Sequence, residues 1–132
     1  MRVQSRFAVL LCLLACGGCG KKSTDELIAN LKSPQEGERI TAVRLLQQRT
    51  GDAAKVVPAL TEALKSKEGD IRWSAAIGLG YFGEQAEEAI PALQAAKTDR
   101  DARVREAAGV ALFRIDPANF PDPSKQPAKR RR

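Results

Sequence analysis

Val57-Pro58-Ala59-Leu60 is answered 33 residues later by Ile90-Pro91-Ala92-Leu93. The same offset carries Ile71-Arg72 onto Val104-Arg105, Ala75 onto Ala108, Leu79 onto Leu112 and Phe82 onto Ile115, with no gap. Moved back by the same distance, Leu60 falls on Leu27, Leu64 on Leu31, Arg72 on Arg39, Ala75 on Ala42 and Leu79 on Leu46. The first copy is degenerate, with Asp25 where the other two carry Pro. A fixed period of this length marks an array of stacked supersecondary units.

Each copy holds two helical patterns. Leu60 and Leu64, or Leu27, Ile28 and Leu31, recur at spacings of three and four. Ile71, Ala75, Leu79 and Phe82, and likewise Val104, Ala108, Leu112 and Ile115, place one apolar stripe on a second helix. Ser23-Thr24-Asp25 is a candidate N-cap. Ser33-Pro34 separates the first pair, because the residue before Pro disfavours the helical region. Gly51 and Gly83 fall where second helices should end, and Asp116-Pro117 stops the last. The spacing predicts helices over 24–32, 36–49, 53–66, 69–82, 85–97 and 101–115, in repeats of about 24–50, 51–83 and 84–116. No segment alternates as a strand would. The middle second helix is apolar nearly all round, as a helix covered on both sides must be.

The pattern Val/Ile-Pro-x-Leu, then about ten residues, then Ile/Val-Arg-x-x-Ala-(Ala/Gly)-x-x-Leu resembles HEAT repeats of the bacterial phycobilisome-lyase-like type. The second and third copies carry it nearly whole, in Ile71-Arg72-Trp73-Ser74-Ala75-Ala76 and Val104-Arg105-Glu106-Ala107-Ala108-Gly109. The first has Glu38-Arg39-Ile40-Thr41-Ala42-Val43. The resemblance implies an all-α fold over 23–116, a short α-solenoid (α-α superhelix) of about three HEAT-like helical hairpins. About three repeats are the minimum at which such hairpins cover one another's apolar faces.

Before the repeats, Arg2 and Arg6 precede an apolar run of about 14 residues, short of the roughly 20 that span a bilayer. Small residues and a Cys close the run, which describes a secretory signal over 1–22. Leu13-Leu14-Ala15-Cys16 resembles a bacterial lipobox, which implies cleavage and lipidation at Cys16, with Cys19 the alternative. That reading makes the protein exported and held to a membrane facing the periplasm or the cell exterior. The competing readings are an ordinary cleaved signal and an uncleaved anchor.

The net charge of +6 sits in the two ends. Residues 16–116 hold 15 basic and 15 acidic side chains, while 117–132 carry +4. A basic nucleic-acid-binding face is therefore not what the totals describe. The Pro-rich basic tail 117–132 reads as disordered. It is either a solubilising extension or a contact for anionic lipid.

The chain has no His, and its three Cys lie in the N-terminal segment. It thus offers no His base, no thiolate nucleophile within the repeats and no complete metal-ligand set. No metal, cofactor or catalytic residue is expected. Asp99, Asp101 and Glu106 lie near one loop, where acids commonly cap helices.

Two sets of residues stand out. Trp73, Ile77 and Tyr81 share one face of the middle second helix, with Ile40, Arg44 and Gln48 equivalent before and Glu106, Val110 and Arg114 after. The family resemblance implies an inner concave face lined by second helices. Arg44, Gln48, Trp73, Ile77, Tyr81, Glu106 and Arg114 would form its partner-binding ridge, in the mixture of Trp, Tyr and Arg that dominates protein recognition. The alternative is that Trp73 and Tyr81 pack between repeats. Arg39, Arg72 and Arg105 recur in every copy, which favours structural pairing with loop acids such as Glu36, Asp70 or Asp101 over an anion site.

The expected function is non-enzymatic: a protein-interaction or scaffold module with an unidentified protein partner. The alternatives are an accessory subunit related to bilin-lyase-type HEAT proteins, or contact of the tail with anionic lipid or nucleic acid. The export signal weighs against nucleic acid.

Overall fold

The computed structural model describes residues 21–125, so the signal, Cys16, Cys19 and the last seven residues lie outside it. Six α-helices follow in order: α1 Thr24–Asn30, α2 Glu36–Leu46, α3 Ala53–Ala63, α4 Gly69–Phe82, α5 Ile90–Ala96 and α6 Ala102–Ile115. They form three antiparallel hairpins that stack side by side as a short all-α solenoid. Second helices α2, α4 and α6 form one layer, with α4 between its neighbours.

The ends follow from local chemistry. The Ser23 hydroxyl accepts the Glu26 N–H at 3.2 Å and caps α1. Asp101 accepts the Arg103 N–H at 2.9 Å and caps α6. Gly83 closes α4 with φ of 55°, a region that disfavours any residue with a Cβ.

Five of the six helices begin where the sequence places them, within about one residue, and three of these end two or three residues earlier. One element differs in kind. The expected helix over 85–97 is split into a 3₁₀ segment, Gly83–Ala89, and α5, with Ala86 out of helical geometry at φ −103° and ψ 20°. Pro91 sits in the first turn of α5, where its missing N–H costs nothing and its fixed φ suits a helix start.

One core runs the length of the array, from Leu27 to Ile115. Its centre is α4, in which Ile71, Ala75, Ala76, Leu79 and Phe82 are all buried. Gly78 and Gly80 make this possible. They lie two residues apart, about 200° around the helix, and so look in nearly opposite directions. A Cβ on Gly78 would come within 2.7 Å of Gln47 and 3.0 Å of Leu60. A Cβ on Gly80 would stand 3.1 Å from the Ala111 Cα. The first glycine admits the α2 side and the second brings α6 into close contact.

The tail departs from expectation over its first half. Residues 117–132 read as disordered, yet Pro117 to Lys125 turn back along α6. The Phe120 N–H donates to the Asp116 carbonyl at 3.0 Å, and the ring packs on the core. Pro123 lies against Gly109, with ordinary van der Waals room for a Cβ there. Among the described residues no further hairpin covers this flank of α6. One Phe and two prolines offer apolar cover at little entropic cost.

Leu79 is fully buried, whereas Leu45 is 36% exposed. Leu79→Ala should lower stability by about 2–5 kcal/mol in urea unfolding. Leu45→Ala should change it by about 0.5 kcal/mol or less.

Candidate functional site

The recurrent arginines form a ladder along the loop ends of the second helices. Arg72 is 6% exposed. Its Nε and Nη2 donate to the two Asp99 carboxylate oxygens at 2.8 and 2.9 Å, a bidentate fork. Its Nη1 donates to the carbonyls of Ser66 and Lys67 at 3.0 and 2.9 Å. Arg39 repeats the arrangement, donating to Glu68 and to the Ser33 carbonyl. Each guanidinium thus ties its own loop to the loop of the next hairpin. Among the described residues no hairpin follows Arg105, and it donates to the carbonyls of Asp99 and Arg100 alone.

The acids that read as partners from sequence are not the ones used. Glu68 and Asp99 take that role, because they stand in the loop of the following repeat, directly across from the guanidinium. Asp70 and Asp101 instead hold Arg103, each at 2.9 Å.

The Arg72 fork holds the Asp99 carboxyl below its ordinary range, against the opposing effect of burial. The same pairing raises Arg72. Glu68 is also lowered, first by the Ser66 hydroxyl and further by Arg39.

Trp73, Ile77, Tyr81, Glu106, Val110 and Arg114 come together as the sequence placed them. They line one groove of about 470 Å³ between α4 and α6. Its floor is Ala76, Gly80, Ala107 and Ala111, the small residues that let the two helices approach. Tyr81 is 59% exposed, under the Arg114 guanidinium, which lies 5.3 Å from the ring centre. Trp73 is half-buried and packs partly on the core, so it belongs both to the repeat packing and to the groove. Arg103 lies over it at 5.8 Å.

Arg44 and Gln48 do not join this groove. α2 packs on the other flank of α4, beside Gly78, and ends at Leu46, so Gln48 leaves the helical stripe. Gln47 takes the inner position and donates to the Ser74 carbonyl at 2.7 Å. Arg103 is the groove residue that the sequence reading missed. Its signal was positional: it precedes Ala107 by four residues, and its repeat equivalent is Asp70, the acid that binds it.

Among the described residues no group of three His, Cys, Asp or Glu is placed to hold a metal ion. No described helix is long and apolar enough to cross a membrane.

These features define an array of helical hairpins built on a recurrent arginine. The HEAT-repeat family matches residues 24–112, more than half of the chain, and the protein belongs to that family. It is 32% identical over 97 residues to the uncharacterized protein SkfG of Bacillus subtilis (strain 168), an alignment taking in 74% of this chain and 56% of that one. Among solved structures it is similar to a chain in the complex of CpcE and CpcF of phycocyanin lyase from Nostoc sp. PCC7120. There the TM-score is 0.67 and the identity 27%, over 75% of this chain and 39% of that chain. The chain thus spans about half the length of SkfG and less of the lyase chain.

Asp99→Ala leaves a buried guanidinium half-satisfied and should cost about 3 kcal/mol at neutral pH. Because the folded pKa of Asp99 is depressed, its contribution is fully present above the unfolded value of about 3.9. It is lost as the pH falls from there through the folded value. Chemical denaturation across that window should show Asp99→Asn losing less stability than wild type as acid is added.

Proposed function

We propose that this protein is a non-catalytic HEAT-repeat module, tethered outside the cytoplasmic membrane by lipid on Cys16 (or Cys19), that presents the α4–α6 groove to a protein partner. The observation that carries the reading is the pairing of Trp73 with Arg103 and of Tyr81 with Arg114 around an apolar floor. Aromatic and Arg side chains supply most of the energy at protein interfaces. Arginines held over rings lose less freedom on binding than free ones. The floor of small residues adds a recess for an apolar side chain.

The chain has no His and no Cys beyond Cys19, which supports recognition over acid–base or thiol chemistry. The similar lyase chain was solved as a complex of two proteins, which supports a partner-binding role by analogy of fold alone. The tether rests on the sequence: a charged start, a short apolar run and a lipobox-like end. The groove lies on the second and third repeats, while the attachment would precede the first in sequence.

Two experiments test the parts separately. Globomycin, which blocks the lipoprotein signal peptidase, should make the precursor accumulate in the native cells, and no accumulation refutes the lipobox reading. A photo-crosslinking side chain at Tyr81 should capture protein, while the same group at Glu88, exposed and outside the groove, should not. Equal capture at both positions would refute the groove as the binding surface.

A further inference from the structure

The groove has an unusual distribution of charge. Arg103 is already held by Asp70 and Asp101. Glu106 and Arg114 are exposed and have no ion pair among the described residues. They stand on one stripe of α6, eight residues and about 12 Å apart, with Val110 midway. The facing stripe of α4 has the same layout. Trp73 and Tyr81 lie about 12 Å apart with Ile77 midway. Ile77 and Val110 are one repeat period apart and line the middle of the same groove.

We infer that this groove docks a second copy of the chain around a two-fold axis that lies in the plane of the interface and crosses α4 at Ile77 and α6 at Val110, an inference that rests on the groove being a protein-binding surface. A two-fold interface uses one patch twice, so whatever contacts i at j must contact j at i. A half-turn about that axis sets Glu106 opposite Arg114 of the second copy, and Arg114 opposite Glu106 of the second copy. Trp73 meets Tyr81 of the second copy in the same way. Ile77 and Val110 meet their own counterparts at the axis. Both charges that lack an ion pair are thereby matched, and the Tyr81 ring, 59% exposed with Arg114 over it, gains a second contact.

Opposite charges at the two ends of one stripe have no use in a scaffold, and two-fold pairing matches each with the other. Arg103, which lies over Trp73, is already neutralised by Asp70 and Asp101 and needs no acid from the second copy. A more apolar recess, between α1 and α3 at Ile28, Leu31, Pro58 and Ala63, has Lys55 and Lys65 paired with Asp25 and Glu62, and among the described residues only its third lysine, Lys32, lacks an ion pair, so it holds no such matched couple.

The test is charge exchange in residues 21–132, which contain the whole core from Leu27 to Ile115. Sedimentation equilibrium should show a dimer for the wild type. Glu106→Arg alone and Arg114→Glu alone each set like charges together twice, and each should weaken dimerisation by more than about tenfold. The double variant restores both pairs with the signs reversed and should restore the dimer. Circular dichroism checks that each variant is folded, and recovery in the double variant excludes damage from either single change.

A wild type that stays monomeric up to about 1 mM overturns the inference. So does a dimer indifferent to the single reversals, or a double variant that stays monomeric. A monomer that still crosslinks another protein through Tyr81 overturns the second copy alone. Absence of any Tyr81-dependent capture overturns the binding reading itself.

Discussion

The burial of α4 is the constraint from which the rest of the molecule follows. A helical hairpin leaves one face open, and a short array closes its core only if some helix is covered on both flanks. α4 fills that place because it carries glycine at two nearly opposed positions. Gly78 admits Gln47 and Leu60 on one side, and Gly80 admits Ala111 on the other. Glycine within a helix lowers its intrinsic stability by roughly 1 kcal/mol. The close packing it permits buries Ile71, Ala75, Ala76, Leu79 and Phe82, each apolar burial of the larger side chains being worth about 1.5–3 kcal/mol. The termini of the array then need lids. α1 with its Ser23 cap closes one end, and the Phe120 segment closes the other.

Charge is divided along the same lines. Exposed pairs such as Lys55–Asp25 and Lys65–Glu62 contribute little to stability, since water and salt screen them. The Arg72–Asp99 fork differs because it is buried and fully hydrogen-bonded, and its arms reach two loops at once. It fixes the rotation of one hairpin relative to the next. That rotation sets the width of the groove between α4 and α6.

Much of this was legible in the sequence, because period and apolar spacing report on packing. The offset from Leu60 to Leu93 located the hairpins, and the four-residue spacing of Trp73, Ile77 and Tyr81 located a common face. Less legible were features that depend on where one hairpin ends and its neighbour begins. The acids bound by Arg39 and Arg72 could not be picked from several candidates in adjoining loops. The split before α5 reflects a preference of Pro91 for a first turn, which Pro58, inside α3, does not enforce at the matching position. Phe120 was hidden by its surroundings: a lone aromatic in a Pro-rich, charged tail lowers no average enough to show, yet it covers the open flank of α6.

The comparison of repeats also separates scaffold from site. Positions 39, 72 and 105 are Arg in all three copies, and positions 42, 75 and 108 are Ala. Stacking demands the same contacts at each step, so these positions repeat. The groove positions do not: Ile40, Trp73 and Glu106 are equivalent, as are Gln48, Tyr81 and Arg114. A stripe that faces outward is free of the stacking demand, and its residues can diverge without loss of the fold. Here the divergence produces aromatic groups on one helix and opposite charges on the next. Ile40, Trp73 and Ile77 still pack partly on the core, so the stripe serves the stacking there, while Tyr81, Glu106 and Arg114 at its outer positions are exposed and free to differ.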